Sequence, residues 1–346
     1  MRIEQLTFTR FIAAIFIVIF HYGKNCFLFN NENVSFIFKQ GNVAVSYFFV
    51  LSGFVMILAY HNKTKIMFVE YIRNRLTRIY PVYLLAIFFI LGIKLFTEVN
   101  YFSLILNILM FQSWFPGKAL TINFTGWSLS VEMFFYFSFP FLFNFFYKKF
   151  SLKIIAFWVV LFYLLSQIVF HLFIQSKFLI VPYSVEDINY NPLMHFNSFL
   201  IGNLAGLYFV YILKGKGKNY FWHILFILLY LLLLLKFSFG LNYHNGLLSV
   251  IFAPLIIFIS LTNDKLTKLF SNKFFVFLGE ISFSIYILQV PVWSILTDYR
   301  MNKYFGIDKE ANIILSFFIR LAILILSSSL IYLYFEKPIR NKIRNQ

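Results

Sequence analysis

The stretch Gly41–Tyr60, GNVAVSYFFVLSGFVMILAY, decides the fold class of this chain. It contains no Asp, Glu, Lys or Arg, and about 20 apolar residues are enough for a helix to cross the roughly 30 Å hydrocarbon core of a bilayer. The stretch therefore predicts a transmembrane helix. Similar apolar segments occur at 7–22, 79–97, 127–147, 154–174, 193–213, 220–237, 246–262, 278–297 and 312–334.

Composition points to the same class. Hydrophobic residues make up 61% of the 346 residues and charged residues 12%, and the mean hydropathy is +0.79. Globular chains contain about 45–50% apolar residues and about 25% charged residues. We therefore predict an all-α polytopic integral membrane protein with about ten transmembrane helices, forming a single domain over residues 1–346. Nucleic-acid readers, secreted disulfide scaffolds and soluble enzymes are excluded, and a lone Cys26 allows neither an internal disulfide nor a Cys-based metal site.

Segment 101–126 determines the predicted topology. Its apolar part, 101–113, is short, and Pro116, Gly117 and Gly126 follow it. If the segment does not cross, most Lys and Arg fall in cytoplasmic loops, as the positive-inside rule requires; if it crosses, most fall outside. We therefore predict a re-entrant or peripheral segment, with both the N-terminus and the C-terminus cytoplasmic. Topology then accounts for most of the net charge of +17.

Ionisable residues inside predicted spans indicate a functional path, because charge is costly there. Arg10 and His21 share the first span, and their spacing comes within about 20° of three full helical turns. Both therefore lie on one stripe, about 16.5 Å apart along the axis. Glu132 enters another span at a similar depth to His21, so the two form a candidate acid/base pair. The alternative for Glu132 is a structural ion pair with Arg320.

A basic cluster precedes the third predicted span, at Arg73, Arg75 and Arg78. Arg75 and Arg78 are i,i+3 neighbours on one face if the segment is helical. Paired guanidiniums suit phosphate groups because each planar fork donates two hydrogen bonds at once. The alternative is that these arginines only anchor the cytoplasmic end of the span.

Six short motifs, in this order and at these spacings, resemble acyltransferase family 3, a family of bacterial integral membrane proteins. The resemblance covers nearly the whole chain. The motifs are Arg10-x10-His21, Gly41 with Phe48-Phe-Val-Leu-Ser-Gly-Phe54, Arg75-Leu-Thr-Arg78-Ile-Tyr-Pro81, Trp127-Ser-Leu-Ser-Val-Glu132, Leu278-Gly-Glu-Ile-Ser-Phe-Ser-Ile-Tyr286 and Tyr334-Phe-Glu-Lys-Pro-Ile-Arg340. One position departs from the family, because Gln289 stands before Pro291 where a His is usual, and Gln does not titrate.

The resemblance implies transfer of an acyl group, most commonly acetyl from acetyl-coenzyme A, to a hydroxyl of a cell-envelope glycan or lipid-linked sugar. It places the chain in the bacterial cytoplasmic (inner) membrane. His21, Glu132 and Arg10 are the expected catalytic residues. Arg73, Arg75 and Arg78 are expected to bind the donor phosphates, and no metal is expected. His21 is either the general base or a covalent acyl carrier.

Two other functional classes remain open at this point. A transporter or flippase for a lipid-linked glycan also places Arg, His and Glu in a membrane path. A non-catalytic sensor built on an acyltransferase-like fold is favoured by Gln289.

Overall fold

The computed structural model describes residues 3–93, 99–175, 184–213, 215–308 and 312–344. In these ranges the chain forms helices joined by turns and loops, with no β-sheet. The α-helices are α1 Glu4–Tyr22, α2 Phe27–Asn30, α3 Ser35–Phe38, α4 Val43–Tyr60, α5 Phe68–Ile93, α6 Tyr101–Ile108, α7 Trp127–Phe141, α8 Leu152–Ile174, α9 Val185–Tyr190, α10 Pro192–Tyr208, α11 Phe221–Lys236, α12 Ser249–Leu261, α13 Lys265–Phe270, α14 Lys273–Glu280, α15 Ser282–Ile295, α16 Asp298–Phe305, α17 Ile313–Ile331 and α18 Lys337–Arg344.

Shorter helical pieces complete the backbone. Two 3₁₀ turns cover Gln112–Trp114 and Phe124–Gly126, and π-helical segments continue α7, α10 and α17 over Leu142–Tyr147, Phe209–Leu213 and Tyr332–Glu336. Single π turns inside or at the end of α-helices are often found at functional sites. The segment that continues α17 packs against α5.

Seven helices in the described ranges are long and apolar enough to cross a membrane, and an eighth is possible if α14 and α15, bent by 50°, form one span. The two remaining predicted segments contain the shorter apolar helices α11 and α12. The chain is thus an all-helical protein with several membrane spans. Ten crossings and two cytoplasmic ends stay predictions.

Helix α5 differs most from its predicted segment, 79–97. It begins at Phe68, because the arginine-rich stretch is part of the same helix and Pro81 is accommodated within it. The last residues of the predicted segment, 94–97, lie outside the described residues. The long α5 places the arginines and the apolar span on one continuous helix.

Segment 101–126 contains only the eight-residue helix α6 and the two 3₁₀ turns. A helix of this length rises about 12 Å, too little for a crossing. Gln112 Nε2 donates to the Gly126 carbonyl at 2.8 Å, and Ser113 Oγ donates to the Trp127 carbonyl at 3.0 Å. These two hydrogen bonds fix the irregular part of the segment against the start of α7.

Proline explains another contact of this segment. Pro291 lies inside α15 and has no N–H, so the Ile287 carbonyl four residues earlier lacks its usual helical donor. Asn123 Nδ2 donates to that carbonyl at 3.1 Å. This bond ties the segment to α15 as well as to α7.

Helices α4 and α10 approach closely through glycine. A Cβ added at Gly53 would meet the Phe199 carbonyl, and one added at Gly202 would meet the Val50 carbonyl. Small residues allow such backbone contact and are typical of helix packing in membranes. The pair α4–α10 therefore forms a rigid unit that supports one wall of the cavity described below.

We expect Gly202→Ala to lower the free energy of unfolding by about 1–3 kcal/mol through overpacking. Cys26 is 1% exposed and is the only cysteine, so its reactivity with a thiol dye on heating reports unfolding. Gly92→Ala is the matched control, because a Cβ there meets nothing within 4 Å. Equal unfolding temperatures for the two variants would contradict the close contact.

Candidate functional site

A cavity of about 830 Å³, including its open mouth, lies among α1, α4, α5, α7 and α15. The lining combines apolar side chains with a few ionisable and hydroxyl groups. The polar lining residues used below are Arg10 from α1, Ser52 from α4, Arg75 and Arg78 from α5, Glu132 and Tyr136 from α7, and Tyr286 from α15.

Three guanidinium groups converge on this cavity, from Arg10, Arg75 and Arg78. Within the described ranges, no carboxylate lies within ion-pair distance of any of them. Buried or partly buried cations are normally paired. The arrangement therefore leaves positive charge available for an anionic ligand.

Aromatic rings hold Arg75 in place. Its guanidinium lies 5.3 Å from the ring centroids of Tyr60 and Tyr71 and 6.0 Å from that of Tyr136. Its Nε atom is buried with no hydrogen-bond partner. The cation–π contacts orient the guanidinium, and the buried Nε–H is a donor that remains available to a ligand.

The three predicted donor-binding arginines do not lie together. Arg75 and Arg78 both line the cavity, on the shared face that their i,i+3 spacing predicts. Arg73 is exposed and is not part of the lining. Its side chain points away because 100° per residue separates it by about 200° from Arg75. Nothing in the geometry supports a donor-binding role for Arg73.

Glu132 contributes the carboxylate of the cavity. The Tyr136 hydroxyl donates to its Oε1, and Ser52 Oγ donates to the same oxygen at 3.3 Å. The alternative ion pair with Arg320 is wrong, because Arg320 Nη2 lies 2.8 Å from Asp298 Oδ1. Arg320 Nε also donates to the Leu296 carbonyl at 2.8 Å. Arg320 therefore fastens α17 to the end of α15, away from Glu132.

His21 is not in the cavity lining and does not contact Glu132. Its Nδ1 lies 2.8 Å from Gln289 Oε1, and Phe124 packs edge-on against its ring with centroids 4.8 Å apart. The contacts of the described residues thus correct the predicted His21–Glu132 pair. The carboxylate is already held by Tyr136 and Ser52, while the imidazole is held by a residue of α15.

Gln289 and Tyr286, one turn apart in α15, connect His21 to the cavity. Gln289 Nε2 donates to the Tyr286 carbonyl at 2.6 Å. The Tyr286 side chain lines the cavity, and its hydroxyl is 2.8 Å from Ser128 Oγ and 3.1 Å from the Thr125 carbonyl. Gln289 therefore links His21 to the backbone of Tyr286, a residue that lines the cavity.

Glu336 is a buried acidic residue to which sequence reasoning assigned no role beyond the resemblance. It is 2% exposed, accepts a hydrogen bond from Ser284 Oγ at 3.1 Å, and lies 3.9 Å from Arg340 Nη1. It also interacts electrostatically with Arg78 and Arg10. Its position in the π-helical end of α17 could not be read from hydropathy.

These features define a multi-pass helical membrane protein with an arginine-rich cavity between its helices. The chain belongs to acyltransferase family 3: the family model, described as an acyltransferase domain, matches residues 3–333. The acyltransferase MdmB of Streptomyces mycarofaciens is 33% identical over 153 residues, which cover 40% of this chain and 38% of that relative. The match therefore spans well under half of the relative's length. No solved structure matches the chain.

Proposed function

We propose that the protein is a membrane O-acyltransferase of the bacterial cytoplasmic membrane. It moves an acyl group, most commonly acetyl, from cytoplasmic acyl-coenzyme A to a hydroxyl of a cell-surface polysaccharide or lipid-linked glycan. The observation that carries this proposal is the cavity lined by Arg10, Arg75 and Arg78, none of which lies within ion-pair distance of a carboxylate among the described residues. Family membership supports the acyl-transfer chemistry.

The arginines suit the donor because coenzyme A carries several phosphate groups. A guanidinium presents a planar fork that binds phosphate with two hydrogen bonds. Arg75 is pre-oriented by Tyr60 and Tyr71, which reduces the entropy lost on binding. In the predicted topology these groups lie toward the cytoplasm, where the donor is made, and the pantetheine arm extends from them toward His21.

In direct transfer, His21 takes the proton from the acceptor hydroxyl as its oxygen attacks the thioester carbonyl carbon. The carbon–sulfur bond breaks, and the coenzyme A sulfur leaves with the proton returned by the imidazolium. In the two-step route the imidazole attacks the thioester first, the carbon–sulfur bond breaks and the coenzyme A thiolate leaves. The acceptor hydroxyl then attacks the acyl-imidazole, forms the ester and releases His21, while its proton balances the charge of the departed thiolate. Both routes consume one donor for each ester formed.

Mass spectrometry of protein incubated with donor but no acceptor separates the routes. An acetyl adduct on the peptide containing His21 supports the covalent route, and its repeated absence during turnover supports direct transfer.

Glu132 has no contact with His21 among the described residues, so we propose that it tunes the charge of the cavity. We expect Glu132→Gln to tighten coenzyme A binding by up to about tenfold, because a negative charge near the phosphates is removed while an acceptor for Tyr136 remains. Isothermal titration calorimetry measures the effect. Glu186→Gln, an exposed change on α9, is the control. Unchanged or weaker binding in Glu132→Gln would contradict this role.

The test of the proposed function uses purified protein in liposomes and coenzyme A carrying a radiolabelled acetyl group. With an envelope-glycan extract as acceptor, we expect free coenzyme A and labelled glycan to appear together in equal amounts. A flippase would move glycan without consuming donor, and a sensor would do neither. Donor that stays intact at all acceptor and protein concentrations would overturn the proposal.

A further inference from the structure

Gln289 is fully buried in α15, between His21 and the backbone carbonyl of Tyr286. Its Nε2 donates to that carbonyl at 2.6 Å, and its Oε1 lies 2.8 Å from His21 Nδ1. The reversed amide would place Oε1 against another carbonyl oxygen, an arrangement of two acceptors with no proton between them. The hydrogen-bond network therefore fixes which end of the amide faces His21.

The amide oxygen can only accept a hydrogen bond. His21 Nδ1 must therefore donate to it, and in a neutral imidazole the proton on Nδ1 leaves Nε2 with its lone pair. Nε2 is then the atom able to take a proton or to attack a carbonyl. A mutation that places a catalytic histidine in the wrong tautomer is known to cost about 10⁴ in kcat in a serine protease.

We propose that Gln289 is a positioning residue that holds His21 in the Nδ1–H tautomer, with Nε2 as the reacting atom. The reaction to which this applies rests on the proposed function. The sequence departure at this position then preserves the chemistry, because Gln supplies the acceptor that tautomer selection needs. Unlike a His at this position, Gln289 does not titrate, so no proton is exchanged between residue 289 and His21.

Few charged groups act on His21 in the described ranges. From its own helix end come the titratable Tyr22, whose ring centroid is 6.0 Å away, and Lys24, which acts electrostatically. The groups from other elements, Phe124 and Gln289, are neutral. A carboxylate introduced at position 289 would be a new negative charge beside the imidazole, and its effect can be measured in the pH–kcat profile.

The kinetic test compares three variants. We expect Gln289→Leu to lower kcat at least about 100-fold with the donor KM unchanged, and Gln289→His to retain activity because a ring nitrogen can accept from Nδ1. Gln289→Glu stabilises the imidazolium, so the acidic limb of the pH–kcat profile moves to higher pH. Gln167→Leu, a change at a buried glutamine of α8 whose amide donates to the Asn245 carbonyl, is the control and should leave kcat and the profile unchanged.

A spectroscopic test is independent of activity. Protein labelled with ¹⁵N-histidine contains six histidines, and the spectrum of His21→Ala identifies the signals of His21. We expect a protonated Nδ1 and an unprotonated Nε2 in the neutral wild type, with that preference lost in Gln289→Leu. A wild-type His21 protonated on Nε2, or a preference that survives in Gln289→Leu, would overturn the proposal.

The two proposals fail separately. If the tautomer is as expected but no donor is consumed, the positioning role stands and the acyltransferase proposal falls. If donor is consumed and Gln289→Leu has wild-type kcat, the positioning role falls and the acyltransferase proposal stands.

Discussion

Replacing His21 with alanine should abolish acyl transfer while leaving the protein folded and inserted. Removing a positioned general base costs about 10²–10⁴ in rate, and removing a nucleophile costs at least as much. Insertion should be unaffected, because the change takes a polar group out of an apolar span. The measurement is label transferred from acetyl-coenzyme A by equal amounts of wild-type and variant protein in liposomes.

His223→Ala is the matched control for this prediction. His223 is an exposed histidine in α11, so its replacement should leave acyl transfer unchanged. Binding of coenzyme A should be retained in His21→Ala, since His21 does not line the cavity. Transfer by His21→Ala within a few-fold of wild type would remove His21 from the reaction.

Replacing Arg75 and Arg78 together should nearly eliminate donor binding. A hydrogen bond to a charged group contributes about 1.5–3 kcal/mol, so the double alanine variant should bind coenzyme A about 10²–10⁴ times more weakly. The donor KM should rise accordingly, whereas kcat extrapolated to saturating donor should change little. Calorimetry and donor-dependent kinetics measure the two quantities.

Arg73→Ala separates phosphate binding from anchoring. Arg73 is on the same helix but exposed and outside the cavity lining, so its loss should not change donor affinity. The double variant should bind pantetheine, which carries no phosphate, with the same affinity as the wild-type protein. If neither variant weakens binding, the three arginines serve only as topology anchors, and if both weaken it equally, binding does not depend on the cavity position of Arg75 and Arg78.

Local sequence patterns were sufficient for the helices and for part of the cavity. Hydropathy over windows of about 20 residues marks each span, since a crossing helix needs that length. The i,i+3 spacing of Arg75 and Arg78 placed both on one face of α5, and intramembrane charge identified Arg10 and Glu132. Each of these inferences uses residues close together in the chain.

Contacts between distant helices could not be predicted in the same way. His21 meets Gln289 because α1 packs against α15, and Glu132 meets Ser52 because α7 packs against α4. Side-chain volumes across a whole bundle decide such contacts, and no periodicity in one segment records them. The bend between α14 and α15 escaped prediction for a related reason, since a hydropathy window averages over it.

The most direct measurement of where the donor binds is photocrosslinking with coenzyme A that carries a diazirine on its acyl group. After irradiation in liposomes, peptide mass spectrometry locates the label. We predict crosslinks on the cavity walls of α4, α7 and α15 and beside His21, lost with excess coenzyme A and in the Arg75→Ala/Arg78→Ala variant. Label confined to exposed residues of α8 such as Phe157 and Trp158, or label that excess coenzyme A leaves unchanged, would contradict the assignment of this cavity as the donor site.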